Sequence, residues 1–149
     1  MITNVEVMTI FNGRTDSVER RKKYIPTVIR KVSHVEAKGA TVTNNGVWSD
    51  DVQHKIRILL ISDVQDERTY ESDLKYAALD DEEAAKHWTI SKADMVILDE
   101  YTGDNLLLYE NDIVQYAKEN GLDLIRIKEF ADDTAGGSLY MKHWRIGGA

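Results

Sequence analysis

Cysteine is absent from this 149-residue chain, which excludes a disulfide framework, a thiol nucleophile and thiolate zinc sites. A single proline and nine glycines exclude a collagenous or linker-rich chain. Apolar runs such as Ile58-Leu59-Leu60-Ile61 fall far short of the ~20 residues a membrane helix needs. The start, Met1-Ile2-Thr3-Asn4-Val5-Glu6, lacks the basic region, apolar stretch and cleavage site of a signal peptide. A location in the cytoplasm of the producing cell is therefore expected. Positive charge is also short: 19 Lys and Arg against 26 Asp and Glu give −7. That balance argues against a general nucleic-acid binder or a protein of anionic membranes, whose phosphate contacts need clustered Lys and Arg.

Motifs that carry chemistry are missing as well. Gly136-Gly137 has neither a dinucleotide fingerprint nor a P-loop around it, and no nucleophile elbow occurs. His34, His54, His87 and His143 stand apart, with no metalloprotease-type spacing, and read as dispersed surface residues. The acidic doublets Asp50-Asp51, Asp80-Asp81 and Asp132-Asp133 lack a calcium-loop pattern and read as solvated charge. The expectation is a protein with no catalytic residues, no cofactor and no metal.

What is present is globular: 42% apolar and 30% charged residues, enough for one domain over 1–149. Val5 to Phe11 reads as a strand, followed by a turn over Asn12 to Asp16. Lys22 to Glu36 is rich in β-branched residues and reads as a long strand, with Pro26 marking an edge or bulge. Asn45-Gly46 is a hairpin signal leading into a returning arm over Val52 to Ile61. There Lys55, Arg57 and Leu59 alternate with Ile56, Ile58 and Leu60, one set in and one out.

Residues 63–87 are more polar and predict one or two short helical turns, with Ser72 and Asp80 as N-caps. Trp88 to Ile90 and Met95 to Leu98 read as short strands, and Tyr101 to Asp104 as a turn. The clearest helix spans about 110–120. Asn111 or Asp112 starts it, Gly121 stops it, and Ile113, Val114, Tyr116 and Ala117 form its apolar face. Leu122 to Phe130 is a strand with Ile125 and Ile127 on one side. The stretch 131–138 is a flexible connection, Leu139 to Ile146 a closing strand, and Gly147-Gly148-Ala149 a frayed end. The predicted fold is mainly β: an antiparallel barrel or curved sandwich with one principal helix near 110–120 and a small helical insertion near 70–86.

Two local features stand out. Lys86-His87-Trp88-Thr89-Ile90 recurs as Lys142-His143-Trp144-Arg145-Ile146. Alternation would bury both tryptophans and turn both histidines outward; the competing reading is a paired His–Trp ligand clamp. Arg20, Arg21, Lys22 and Lys23 form the concentrated basic patch, read either as a contact for an acidic partner or nucleic acid, or as charge that blocks edge pairing. These four residues, with Asp132 and Asp133, are the candidate partner-binding positions.

The order of several segments carries a resemblance. They are Val7 to Asn12, Tyr24-Ile25-Pro26-Thr27-Val28-Ile29, Lys38 to Gly46, Lys55-Ile56-Arg57-Ile58, Lys86 to Val96, and His143-Trp144-Arg145-Ile146-Gly147-Gly148. Together they resemble the minor capsid or head–tail connector proteins of tailed phages and prophages of Gram-positive bacteria. Leu106 to Gly121 and the acidic run 80–83 depart from that pattern. The resemblance implies a β-barrel adaptor stacked in a ring at the virion neck, between a portal-side connector and a tail completion protein. It implies no catalytic residue, no membrane and no specific nucleic acid. Two other readings remain: a prophage-encoded module that binds a host protein, and a small enzyme assembled from the four histidines and dispersed carboxylates.

Overall fold

Period-two alternation through much of the chain builds eight strands in the computed structural model. It describes residues 3–16, 18–42, 48–135, 137–138 and 141–149, with backbone alone for 37–42 and 48–52. In chain order the strands are β1 (Val5–Thr15), β2 (Lys22–Val42), β3 (Trp48–Val64), β4 (Thr69–Tyr70), β5 (His87–Trp88), β6 (Met95–Ile97), β7 (Ile125–Asp133) and β8 (His143–Gly148). Six of them close into an antiparallel barrel in the order β1-β2-β3-β8-β7-β6. Closure removes most of the exposed edge that an open sheet of this size would present. Ile10, Ile29, Ile56, Ile58, Val96 and Ile146 are fully buried in the barrel core.

The outer wall has its own core. Phe11, Met95 and Ile97 belong to the alternate face of β1 and β6 and pack under helix α3 (Glu110–Glu119), which buries Ile113 and Ala117 against them. Val114 was expected on that face but lies 40% exposed, because it sits next to Ile113 and rotates away from the seam. The helix begins one residue before the predicted Asn111. Asp112 is its third residue, and its carboxylate accepts from the Tyr109 backbone N–H at 2.9 Å. Gly121 follows at φ +64°, the left-handed stop its sequence position suggested.

Several turns and ends differ from expectation. Asn12-Gly13 is not a turn: β1 continues to Thr15, because the Asn12 side chain finds all its hydrogen bonds in an extended backbone. The chain reverses after Asp16, whose N–H donates to the Arg21 carbonyl at 2.9 Å and whose carboxylate accepts from the Val18 and Glu19 N–H groups at 2.8 and 2.9 Å. Pro26 does occupy an edge, since β2 meets β3 only from Ile29 onward, but the bulge falls at Lys31 (φ +64°). There Arg30 pairs with Asp63 while Val32 pairs with Ile58, so β3 carries three more residues than β2 between the two rungs. This shifts the phase of β3: Leu59 is buried, and Leu60 and Ile61 are turned out.

The chain between β3 and β5 forms the predicted small insertion, with α1 (Asp73–Ala78) and α2 (Asp81–Ala84). Ser72 and Asp80 cap them as expected, accepting from the backbone N–H of Lys75 and Glu83. Tyr76, Leu79 and Ala84 pack over Ile25. Two arginines pin the insertion down: Arg14 donates to the Tyr76 carbonyl at 2.6 Å and to the Leu79 carbonyl, and Arg68 donates to Pro26 O and Thr27 Oγ1, each at 2.8 Å. Trp88 to Ile90 is not a barrel strand. Its first part is β5, paired in parallel with β4 beside the barrel.

The end of the chain is not frayed, and 131–133 is not a loose connection. β7 runs to Asp133, and β8 starts at His143; Leu139 and Tyr140, expected in the closing strand, lie outside the described residues. Gly147 pairs with Lys55 and Glu129, Gly148 with His54 and Ile127, and Ala149 exchanges two hydrogen bonds with Arg126. The glycines are what permit this approach: a methyl group on Gly148 would overlap the Arg126 carbonyl oxygen, a backbone atom that cannot rotate aside. Gly148→Ala is expected to lower stability by about 1–3 kcal/mol, measured by denaturant unfolding.

One part of the sheet leaves the barrel. β2 pairs with β1 only as far as Val32↔Val5, and β3 with β8 only as far as His54↔Gly148. Beyond that root, β2 and β3 pair with each other alone, from Ala37↔Gln53 to Val42↔Trp48. Six rungs make a two-stranded arm of about 20 Å. The expected Asn45-Gly46 turn lies outside the described residues.

Candidate functional site

The predicted basic patch forms the turn between β1 and β2, and most of its charge is answered locally. The Arg21 guanidinium lies 3.9 Å from the centre of the Tyr109 ring. Lys23 Nζ stands 3.3 Å from Asp16 and 3.5 Å from Glu19. The Tyr109 hydroxyl donates to Glu19 at 2.6 Å, which, with Lys23 close by, holds that carboxyl below its ordinary range. Lys22 reaches over the Tyr24 ring at 5.6 Å, and Arg20 stands in the turn itself at φ +54°. The patch therefore presents a mixed-charge knob anchored on the start of α3.

Asp132 and Asp133 belong to the far end of β7. Asp132 accepts from the Thr134 N–H at 2.9 Å, and Asp133 lies 3.4 Å from His143 Nε2 and 3.7 Å from Arg145 Nε. No contact joins these aspartates to the basic turn among the described residues, so the six candidate positions form two separate patches.

The His–Trp echo resolves into a core feature. Trp88 and Trp144 are 1% and 8% exposed, with rings edge to face at 5.0 Å, and Tyr70 joins both. Burial, with Asp132 nearby, pushes the Tyr70 hydroxyl up to about 12. The histidines do leave the core, yet they do not point freely outward. His87 Nδ1 lies 3.1 Å from the Thr69 carbonyl, and His143 Nδ1 lies 2.7 Å from the Met141 carbonyl. Each is tied back to its own surroundings, because β4 and the β7 end cover the face that alternation alone would leave open.

Two constellations escaped the sequence reading. In the first, Asp94 is buried and accepts from Asn12 Nδ2 at 3.0 Å and from the Gly13 N–H at 3.0 Å. Asn12 also donates to the Thr89 carbonyl at 2.6 Å and accepts from the Thr89 N–H at 3.2 Å. The network ties β1 to the chain entering β6. Burial raises the Asp94 carboxyl to about 6, against the pull of its hydrogen bonds. Neighbouring residues in a strand and a polar loop gave no sign of it.

The second is at the root of the arm. His34 and His54, read as separate surface residues, lie together: His34 Nε2 is 2.9 Å from His54 Nδ1, and the rings stack at 5.2 Å. His54 is 6% exposed, on the inward face with Ile56 and Ile58. The pairing Glu36↔His54 beside His34↔Ile56 brings them together, a register that no local spacing reveals. Asn4 completes the root. Its carboxamide accepts from the His34 N–H at 2.7 Å and donates to the His34 carbonyl at 2.6 Å, standing in for a strand where β1 has ended.

Among the described residues, no three His, Asp or Glu side chains stand close enough together to hold a metal ion. A cleft of about 550 Å³ lies beside the aromatic trio and is lined by Leu60, Val64, Arg68, Tyr70, Trp88 and Trp144 among others. The feature with the most to offer a partner is the arm, whose strands have no further strand paired along their outer edges beyond the root among the described residues.

No curated protein and no solved structure matches the chain. A family model, described as a family of unknown function (DUF6751), matches residues 2–149, and the chain belongs to that family.

Proposed function

We propose that this protein is a non-enzymatic adaptor of a tailed phage or prophage, acting at the virion neck as a head–tail connector or minor capsid protein. The observation that carries the reading is the two-stranded arm reaching past a closed, fully packed barrel. A ring subunit needs a rigid body and an extended element that engages its neighbour, and an arm with open edges is suited to strand addition. The segment order that resembles connector proteins supports the same reading. So does the acidic net charge, which keeps free subunits apart before assembly. On this reading the partners are a portal-side connector, a tail completion protein and further copies of the chain in a ring. The protein passes from the bacterial cytoplasm to the virion neck.

The test is sedimentation of the purified chain with its cognate portal–connector complex. The intact chain is expected to sediment with the complex. A variant in which residues 39–51 are replaced by a two-residue turn is expected to keep its melting transition and lose at least tenfold in binding. Equal binding by both proteins, or no binding by the intact chain, overturns the reading.

A further inference from the structure

We propose that the His34–His54 pair is a proton-operated lock on the root of the arm. It goes beyond the connector reading, because it concerns the isolated chain and holds whatever the arm engages.

The contact is between two ring nitrogens, Nε2 of His34 and Nδ1 of His54, at 2.9 Å. One nitrogen must donate and the other accept. With both rings neutral this is satisfied. With one imidazolium it is also satisfied, since the extra proton sits on a nitrogen outside the contact and strengthens the bond. With two imidazoliums both facing nitrogens carry hydrogen, and stacked rings of like charge repel. The contact therefore tolerates a charge of zero or one and breaks at two.

The surroundings offset a first charge only in part and oppose a second. Glu36, two residues along β2, attracts an imidazolium on His34. A shallow cavity of about 230 Å³ beside His54 is lined by Lys55 from β3 and by Lys128 and Glu129 from β7, while β8 contributes only Gly147, Gly148 and Ala149. One carboxylate on each side cannot balance two imidazoliums together with two lysines. Burial and the neighbouring His54 both hold His34 below the usual histidine range.

Position makes the pair a lock. It spans the last rungs at which β2 and β3 are still braced by the barrel, where His54 pairs with Gly148 and Asn4 holds His34. Splitting the rings removes this side-chain brace at the root of the arm.

The experiment follows histidine ring nitrogens by NMR on the full chain from pH 8 to 4.5, alongside amide exchange at Val35, Lys55 and Gln53 corrected for intrinsic rates. Two separated protonation steps are expected, the second at the lower pH. Exchange at the arm root is expected to rise at least tenfold with the second step, while amides of Ile10 and Ile97 stay protected. In His54→Gln the side chain still bonds but does not charge, and the exchange step is expected to vanish. Should that variant lose its fold by circular dichroism, His34→Gln, at the more exposed position, carries the same test. An exchange step that persists in the folded variant, or a flat exchange profile in the parent chain, overturns the proposal.

Discussion

Trp88→Ala is expected to lower the unfolding free energy by about 3–5 kcal/mol, measured by denaturant titration. The side chain is 1% exposed and touches both Tyr70 and Trp144 edge to face, at 5.1 and 5.0 Å. Its indole lies over the barrel core, in a segment that is not itself part of the barrel. Neighbouring strands are hydrogen-bonded to one another and cannot close over the space it leaves, so the loss is cavity as well as transfer energy. The parallel β4–β5 pair, held by Thr69↔His87 and Tyr70↔Trp88, is expected to loosen with it. A loss under about 1 kcal/mol would show that the trio is a surface patch and not a core.

Asn12→Ala is expected to be comparably severe, about 3–5 kcal/mol, and to depend on pH. The change strands three buried partners at once: Asp94 Oδ2, the Thr89 carbonyl and the Thr89 N–H. The pH dependence follows from Asp94, whose folded value of about 6 stands above its ordinary 3.8 because burial disfavours the charge. A carboxyl raised by folding stabilises the fold when protonated. That contribution is full below pH 3.8 and is lost as pH climbs through 6, a difference of about 3 kcal/mol. The Asn12 hydrogen bond opposes the rise, so its removal lifts the folded value further. Asn12→Ala is therefore expected to cost more at pH 8 than at pH 5, compared by unfolding at the two pH values. Equal losses would mean that Asp94 stays ionised across that interval in both proteins.

The elements that were legible are those whose signal is local. Ile56 and Ile58 alternate with charged neighbours, so their strand and its inward face follow from period two. Ser72, Asp80 and Gly121 sit where capping chemistry needs them, and each is a cap or stop. Asn12-Gly13 misled for a physical reason: the turn preference of Asn is about 1 kcal/mol in scale, and a buried network of four hydrogen bonds outweighs it. The candidate patches were only half legible. Arg21 and Lys23 were found as charge, while their partners Tyr109, Glu19 and Asp16 depend on how α3 meets the first turn.

The sequence by itself determined a mainly β chain with one principal helix, because alternation and helical period act over a few residues and need no distant partner. It also favoured inward-facing Trp88 and Trp144, which the fold buries. Tertiary structure alone decided closure of the barrel, since β1 meets β6 and β3 meets β8 across long intervals of chain. It decided where the arm leaves the barrel, which is set by where β1 and β8 stop. It also decided which polar side chains become consequential. Asp94 with Asn12, and His34 with His54, are ordinary residues in their local context. Register brings each pair within 3.0 Å and buries Asn12, Asp94 and His54, and burial then gives their protons weight in the stability and motion of the fold.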